Sequence, residues 1–432
     1  MSSFDLLVKN GLVVTMDRDM TILENGYVGI TGSSIAVVGK TNGQPLPTAK
    51  KELDAAGGII MPGLVNAHTH ASMTLFRGLA DDLPLMDWLQ NHIFPAEARL
   101  TREMVYQGAL LACAEMILSG TTSFCDMYLF EDAVAQAADE SGMRALVGEV
   151  LYDFDSPHYG PIDKGFAFTE ELLARYQGHS RVSIAVEPHS PYLCAPELLT
   201  RVTETASRWN APVVIHVSET ESEVSQMRQK FGKTPVAHLE NLGFFAPHVI
   251  ADHCVAIDEN DIEILARRNV KVAINPESNM KLASGNAPVP ALLSAGVCVA
   301  LGTDGCASNN NLDMFGEMDT AAKIHKVQSM DPTVMDAATV LRLATRGGAS
   351  ALGVPAGELS PGKRADLIVI NTNQPHLTPL YHPASHLVYA ARGADVTSSV
   401  IDGRVVMEDR QVLTLDVNKV MADVRALAEK LR

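Results

Sequence analysis

Two histidines one residue apart give the first chemical signal, in Asn66-Ala67-His68-Thr69-His70. On a strand, residues two apart face the same way, so both imidazoles can reach one ion. An apolar run, Gly58-Ile59-Ile60-Met61-Pro62-Gly63-Leu64-Val65, leads straight into the pair. Isolated H-x-H pairs are common in loops, and it is the position after a strand-like run that gives this one weight. His216 offers a third nitrogen and Asp304 a carboxylate. Three imidazoles, one carboxylate and a position left for water describe a catalytic rather than a structural site. Zn²⁺ suits it best, with Fe²⁺ or Mn²⁺ as alternatives. A second ion would need a bridging carboxylate-type ligand from the fourth strand, where Val186-Glu187-Pro188-His189 has no lysine to carbamylate. One divalent ion per subunit is therefore expected.

Such residues need a frame that brings distant segments together. Eight apolar, strand-like runs occur at 59–67, 122–127, 145–151, 182–187, 212–217, 249–254, 270–275 and 297–302. They alternate with longer helical patterns, the mark of parallel βα units. Eight such units predict an α/β fold, a (β/α)8 TIM-type barrel, whose active site lies at the C-terminal ends of its strands. His68 and His70 follow the first run, His189 the fourth, and His216 lies near the end of the fifth with Glu219 just beyond. His253 ends the sixth run and Asp304 the eighth. A lone histidine is usually a satisfied core or loop residue, but six polar residues on matching strand ends are not explained that way. A doubly wound open sheet is the alternative. It normally has fewer strands, and no Gly-rich phosphate loop follows the first run.

Both ends of the chain have a different texture. Residues 4–16 and 27–38 read as strands, as do 364–370 and 396–407, and 417–431 has helical spacing. The expected division is a small β-sandwich domain from residues 1–60 plus 364–432 around a hydrolase barrel at 61–363. The nine other histidines (His92, His158, His179, His238, His248, His325, His376, His382 and His386) fall in helical or loop segments and read as surface or supporting residues.

Bulk properties bound the partners. A chain of 432 residues, 47% hydrophobic and 20% charged, suits one large domain plus a smaller one. The net charge of -17 repels phosphate backbones and anionic lipids, which argues against nucleic acid and membrane partners. None of the six cysteines forms a C-x-x-C pair, and most sit in apolar runs, as expected of free thiols in a reducing compartment. No basic n-region opens the chain and no apolar run would span a bilayer, so a cytoplasmic protein is expected.

The motifs together resemble the amidohydrolase superfamily, from Pro62-Gly63-Leu64-Val65-Asn66-Ala67-His68-Thr69-His70 through Leu301-Gly302-Thr303-Asp304-Gly305. Glu187-Pro188-His189-Ser190-Pro191-Tyr192, His216-Val217-Ser218-Glu219-Thr220, Asp252-His253-Cys254-Val255 and Asn275-Pro276-Glu277-Ser278-Asn279-Met280-Lys281-Leu282 make the chain most similar to the 5-methylthioadenosine/S-adenosylhomocysteine deaminases. The resemblance spans essentially the whole chain. It implies that His68, His70, His216 and Asp304 ligate the metal, that Glu219 is the acid/base acting on the purine, and that His253 orients the attacking water. It further implies that Glu97 binds the ribose hydroxyls, that His189 contacts the nucleoside from the opposite side, and that the subunits form a homodimer or higher homo-oligomer.

One departure bears on the substrate. Family members that accept S-adenosylhomocysteine carry arginines for its carboxylate, whereas residues 153–171 hold only Lys164. Methylthioadenosine or adenosine therefore suits the site better. The apolar loop Leu83-Pro84-Leu85-Met86-Asp87-Trp88 reads equally as a pocket border or as ordinary lid packing.

The implied reaction is hydrolytic deamination at C6 of an adenine nucleoside, giving the inosine analogue and ammonia. A divalent cation brings the pKa of water to roughly 7. Glu219, when protonated, can donate to N1, and Asp304 or Glu219 can pass a proton to the leaving amine. As a structural residue, Glu219 would instead orient His216. Other reactions of the same site are the alternative: deamination of guanine, cytosine or a triazine ring, or hydrolytic dechlorination. A catalytically dead binding scaffold would predict missing ligands, and none is missing.

Overall fold

The computed structural model describes residues 4–41, 43, 45–83, 85–246 and 248–431. Met1, Ser2, Ser3 and, from the expected apolar loop, Pro84 lie outside the described residues.

The middle of the chain alternates strands and helices, and its strands run parallel in two arcs. The first arc joins Leu64–Thr69, Thr121–Tyr128, Arg144–Leu151, Val182–Ile184 and Glu187–Pro188. The second joins Val213–Val217, Val249–His253, Lys271–Ile274 and Cys298–Leu301. Almost every residue of these strands is buried, as near-continuous Val/Ile/Leu runs require when helices cover the outer face. Backbone hydrogen bonds join the arcs at both seams. Val186 N donates to Pro212 O at 2.9 Å, and Thr303 N and Asp304 N both donate to His68 O, at 3.1 and 3.0 Å.

Two expected strands are each divided. The run 59–67 is two elements in different sheets, Ile59–Pro62 and Leu64–Thr69. Gly63 between them packs so closely on Thr122 that an added Cβ would lie 2.1 Å from its Oγ1, so only glycine fits the crossover. The run 182–187 is interrupted between Val182–Ile184 and Glu187–Pro188.

The two chain ends meet in one nine-stranded mixed sheet. Ile59–Pro62 pairs with Leu367–Ile370 on one side and with Phe4–Val14 on the other. Its hydrophobic cluster, including Val8, Ile30, Leu53, Ile60, Leu367 and Val400, is separate from the main core. Buried Arg144, at the base of the third parallel strand, ties the two regions together through Asp366 at 2.8 Å and Asp402 at 3.1 Å. The expected C-terminal helix is present as Val417–Ala428. No helix among the described residues is long and apolar enough to cross a membrane.

Candidate metal centre and active site

The strand ends carry the expected histidines to one place. One ring nitrogen from each of His68, His70 and His216 lies within 4.8 Å of the others. Asp304 Oδ1 is 3.2 Å from His70 Nε2 and 3.7 Å from His68 Nε2. Neighbours fix the rings. His216 Nδ1 donates to His189 O at 2.8 Å, and His70 Nδ1 donates to Met127 O. Those bonds use the Nδ1 protons and leave the Nε2 lone pairs free to ligate. His68 is fully buried, its Nε2 has no hydrogen-bond partner, and Asp252 Oδ2 stands 3.0 Å from its Nδ1, out of line for a hydrogen bond. An orphaned imidazole nitrogen facing two further ligand-type nitrogens and a carboxylate fits a divalent cation.

The electrostatics agree. Burial, reinforced by the surrounding imidazoles, holds His216 well below the usual histidine range, so it is neutral and able to ligate. Burial opposes charge on His70, but the Asp304 carboxylate outweighs it and raises the ring to about 9. A field that attracts a proton to this point attracts a cation to it as well. Asp304 is itself held well below the carboxylate range, because His70 outweighs the cost of burial.

The surrounding backbone is bent to aim these groups. His253 has φ 69° and Asp304 φ 61°, left-handed conformations that cost on the order of 1–3 kcal/mol each in a residue with a side chain. Asp304 Oδ2 accepts from Ser278 Oγ at 2.6 Å and Ser308 Oγ at 3.0 Å, and Oδ1 accepts from Gly305 N at 2.7 Å. His253 Nδ1 accepts from the amides of Asn279 at 3.0 Å and Asn275 at 3.3 Å. Two donors on Nδ1 place the ring proton on Nε2.

A cavity of about 270 Å³ opens over this cluster, lined among others by His70, His216, His253, Asp304, Glu219, His189 and Glu97. Burial raises Glu219 above the ordinary carboxylate range. It raises Glu97 to about 7, against the opposing pull of the nearby Tyr128 hydroxyl, and pushes His189 down to about 3. Trp88, at the end of the expected apolar loop, also lines the cavity. Every expected site residue except His68 therefore borders one space, and His68 packs against His70 and His216 with ring centroids 5.0 Å apart.

The sequence profile of the amidohydrolase family matches residues 59–406. The chain belongs to the amidohydrolase family. It is 60% identical to a 5-methylthioadenosine/S-adenosylhomocysteine deaminase of Syntrophobacter fumaroxidans, covering 100% of this chain and 99% of that protein. It is 49% identical to a 5'-deoxyadenosine deaminase of Methanosarcina acetivorans, covering 99% and 98%. A zinc-bound adenosine deaminase from Xanthomonas campestris superposes with a TM-score of 0.98 at 40% identity, covering 100% and 99%. The parallel α/β region is thus an amidohydrolase fold of the TIM-barrel type, and the histidine cluster is where this metal-dependent family would place its ion.

Several residues that shape this amidohydrolase site are not evident from motif reading. Glu223 is buried, and its two oxygens accept from Ser218 N at 3.0 Å and Glu219 N at 2.8 Å, pinning the turn that presents Glu219. Its signal was available: Thr220-Glu221-Ser222-Glu223 is a capping-box spacing, and Thr220 caps the helix Glu221–Phe231. The glutamate reaches past the cap to the two residues before it. Ser278, Asn275 and Asn279 lie inside a quoted motif and Ser308 just beyond one, but only the fold shows which ring or carboxylate each one holds.

Proposed function

We propose that this chain is a metal-dependent deaminase that hydrolyses the 6-amino group of an adenine nucleoside to the inosine analogue and ammonia. The observation that carries the reading is an acid whose side chain has no hydrogen-bond partner among the described residues, Glu219, on the wall of a cavity floored by His70, His216 and Asp304, with His68 packed behind them. The names of the three relatives described above, each a deaminase of an adenine nucleoside, support the same substrate class.

In this reading His68, His70, His216 and Asp304 hold one divalent ion, Zn²⁺ by preference, as the zinc-bound relative supports. Bound there, such an ion would make hydroxide available at neutral pH. The chain's own residues do the rest. Glu219, whose protonated form burial favours, donates to N1 as the C6–O bond forms, so negative charge does not build up on the ring. The Nε2 proton of His253 donates to the incoming oxygen and holds it in line. Asp304 accepts the oxygen's proton, and Asp304 or Glu219 passes one to the exocyclic nitrogen before the C6–N bond breaks. Glu97 receives the ribose hydroxyls, and His189, neutral at working pH, contacts the nucleoside from the other side.

The wider architecture belongs to the same proposal. The two parallel arcs close into an eight-stranded barrel over 61–363, supported by hydrogen bonds at both seams. Residues 1–60 and 364–432 form the small β-sandwich domain, supported by their separate hydrophobic cluster. All six cysteines are free, which fits a reducing cytoplasmic setting. A homodimer or higher homo-oligomer completes the reading, and sedimentation at working concentration checks it.

The deciding assay incubates metal-supplemented protein with methylthioadenosine, 5'-deoxyadenosine, adenosine and guanine while following ammonia. Turnover of adenine nucleosides, lost together with bound metal in His216→Ala, is expected. No turnover of any adenine nucleoside would falsify the reading.

A further inference from the structure

An adenine nucleoside reacts at one end and carries its 5' substituent at the other, because C6 and the ribose-bearing N9 lie on opposite sides of the purine. With C6 held at the metal end, the substituent must leave towards the cavity mouth. Among the lining residues Phe94, Phe154 and Asp155 are exposed and mark the opening, with Trp88 and Tyr152 buried in the wall. Tyr152 and Phe154 stack face to face, 3.9 Å apart and 12° from parallel. Phe154 is 47% exposed and Phe94 37%, so both rings offer apolar surface to a substituent at the opening.

The charge at this end is one-sided. No lysine or arginine appears among the described residues lining the cavity, whereas Asp155 carries a carboxylate at its rim. Lys164 is exposed on the helix Ile162–Arg175 and does not line it. His158, three residues from Asp155, is turned away onto Glu149 at 2.8 Å and packs on Phe130. An anion arriving here meets aromatic faces, whose π clouds are negative, and a like charge, with no counter-ion to offset its desolvation. A thioether or alkyl group meets surfaces that favour it.

We propose that this mouth is a 5' subsite for uncharged, apolar substituents, and that Asp155 is the specificity residue that rejects substituents ending in a carboxylate. The inference rests on the nucleoside reading above and narrows it: methylthio and deoxy nucleosides are substrates, and amino-acid-bearing ones such as S-adenosylhomocysteine are poor. Rejection of this kind is discrimination by repulsion, which a single rim charge can supply.

The test separates charge from size. Metal-loaded wild type, Asp155→Asn and Asp155→Lys are assayed on methylthioadenosine and on two 5'-thioethers, one with a 3-carboxypropyl group and one with its methyl ester. In the wild type the ester is expected to exceed the acid in kcat/KM on the order of tenfold. The ratio narrows in Asp155→Asn, approaches or inverts past unity in Asp155→Lys, and falls in the wild type as salt rises. Equal kcat/KM for acid and ester in the wild type overturns the proposal, as does a ratio that neither substitution moves. Failure on methylthioadenosine as well would instead overturn the nucleoside reading, and the subsite with it.

Discussion

The floor and the mouth of the cavity are built on opposite principles. On the floor four of the site's side chains are held by hydrogen bonds. His216 and His70 are tied to backbone carbonyls, Asp304 to two serines and a backbone amide, and His253 to two asparagines. At the mouth the side chains are aromatic, Phe94 and Phe154 are exposed, and the buried indole of Trp88 donates to Ala80 O at 3.1 Å. Bond-making chemistry tolerates little misplacement, and most of these groups sit at strand ends with their rings or carboxylate fixed by hydrogen bonds. Substrate choice needs only a surface of suitable shape and charge, and here short helices carrying Trp88 and Phe94 and the segment of Tyr152, Phe154 and Asp155 supply it.

The largest break in this contrast comes from Glu219, whose proposed role groups it with the floor but whose side chain has no hydrogen-bond partner among the described residues. Glu219→Gln is expected to lower kcat by about 10²–10⁴-fold while elemental analysis finds metal content unchanged. A variant that keeps its turnover would place the proton donor elsewhere.

A middle-sized effect is expected at Glu97, between floor and mouth. Glu97→Ala should raise KM for nucleosides by about tenfold with kcat little changed, since ribose binding is uniform along the reaction. Burial lifts this carboxyl to about 7. Its ionised form accepts hydrogen bonds best, so wild-type KM should rise as pH falls through that value. A 2',3'-dideoxynucleoside, lacking the hydroxyls, should show no such rise. Equal pH dependence for both compounds would remove Glu97 from the ribose.

The smallest effect sharpens the comparison from beneath the floor. Glu187 is fully buried, neither carboxyl oxygen has a hydrogen-bond partner, and burial pushes it well above the carboxylate range. A raised folded-state pKa means that the folded form binds the proton more tightly. Stability is then full below the unfolded carboxyl's value and declines as pH rises above it. Glu187→Gln cannot ionise in either state. It is expected to raise Tm by about 1–2 °C, with the gain growing from pH 5 to pH 8. A gain that shrinks with pH would contradict this account.

Much of the site was legible because its signals are local. An H-x-H pair after an apolar run, and polar residues ending successive runs, depend only on strand periodicity and chain order. The parallel strands lie close to their expected positions for the same reason. What was not legible depends on contacts between distant residues. The division of 59–67 at Gly63 follows from crowding by Thr122. The role of Glu223 follows from a turn that bends back over its own helix cap.

The sequence by itself therefore determined the donor types, their order along the chain and the βα alternation that makes them converge. Backbone geometry imposes those patterns over a few residues. Only the tertiary structure decided which nitrogen of each ring faces the centre, where the first strand changes sheets, and that the cavity mouth is aromatic and free of cations. These depend on pairs such as His70 with Met127, 57 residues apart, and Asn66 with Thr303, 237 apart. No local periodicity encodes such pairs, because they exist only once the sheet has formed.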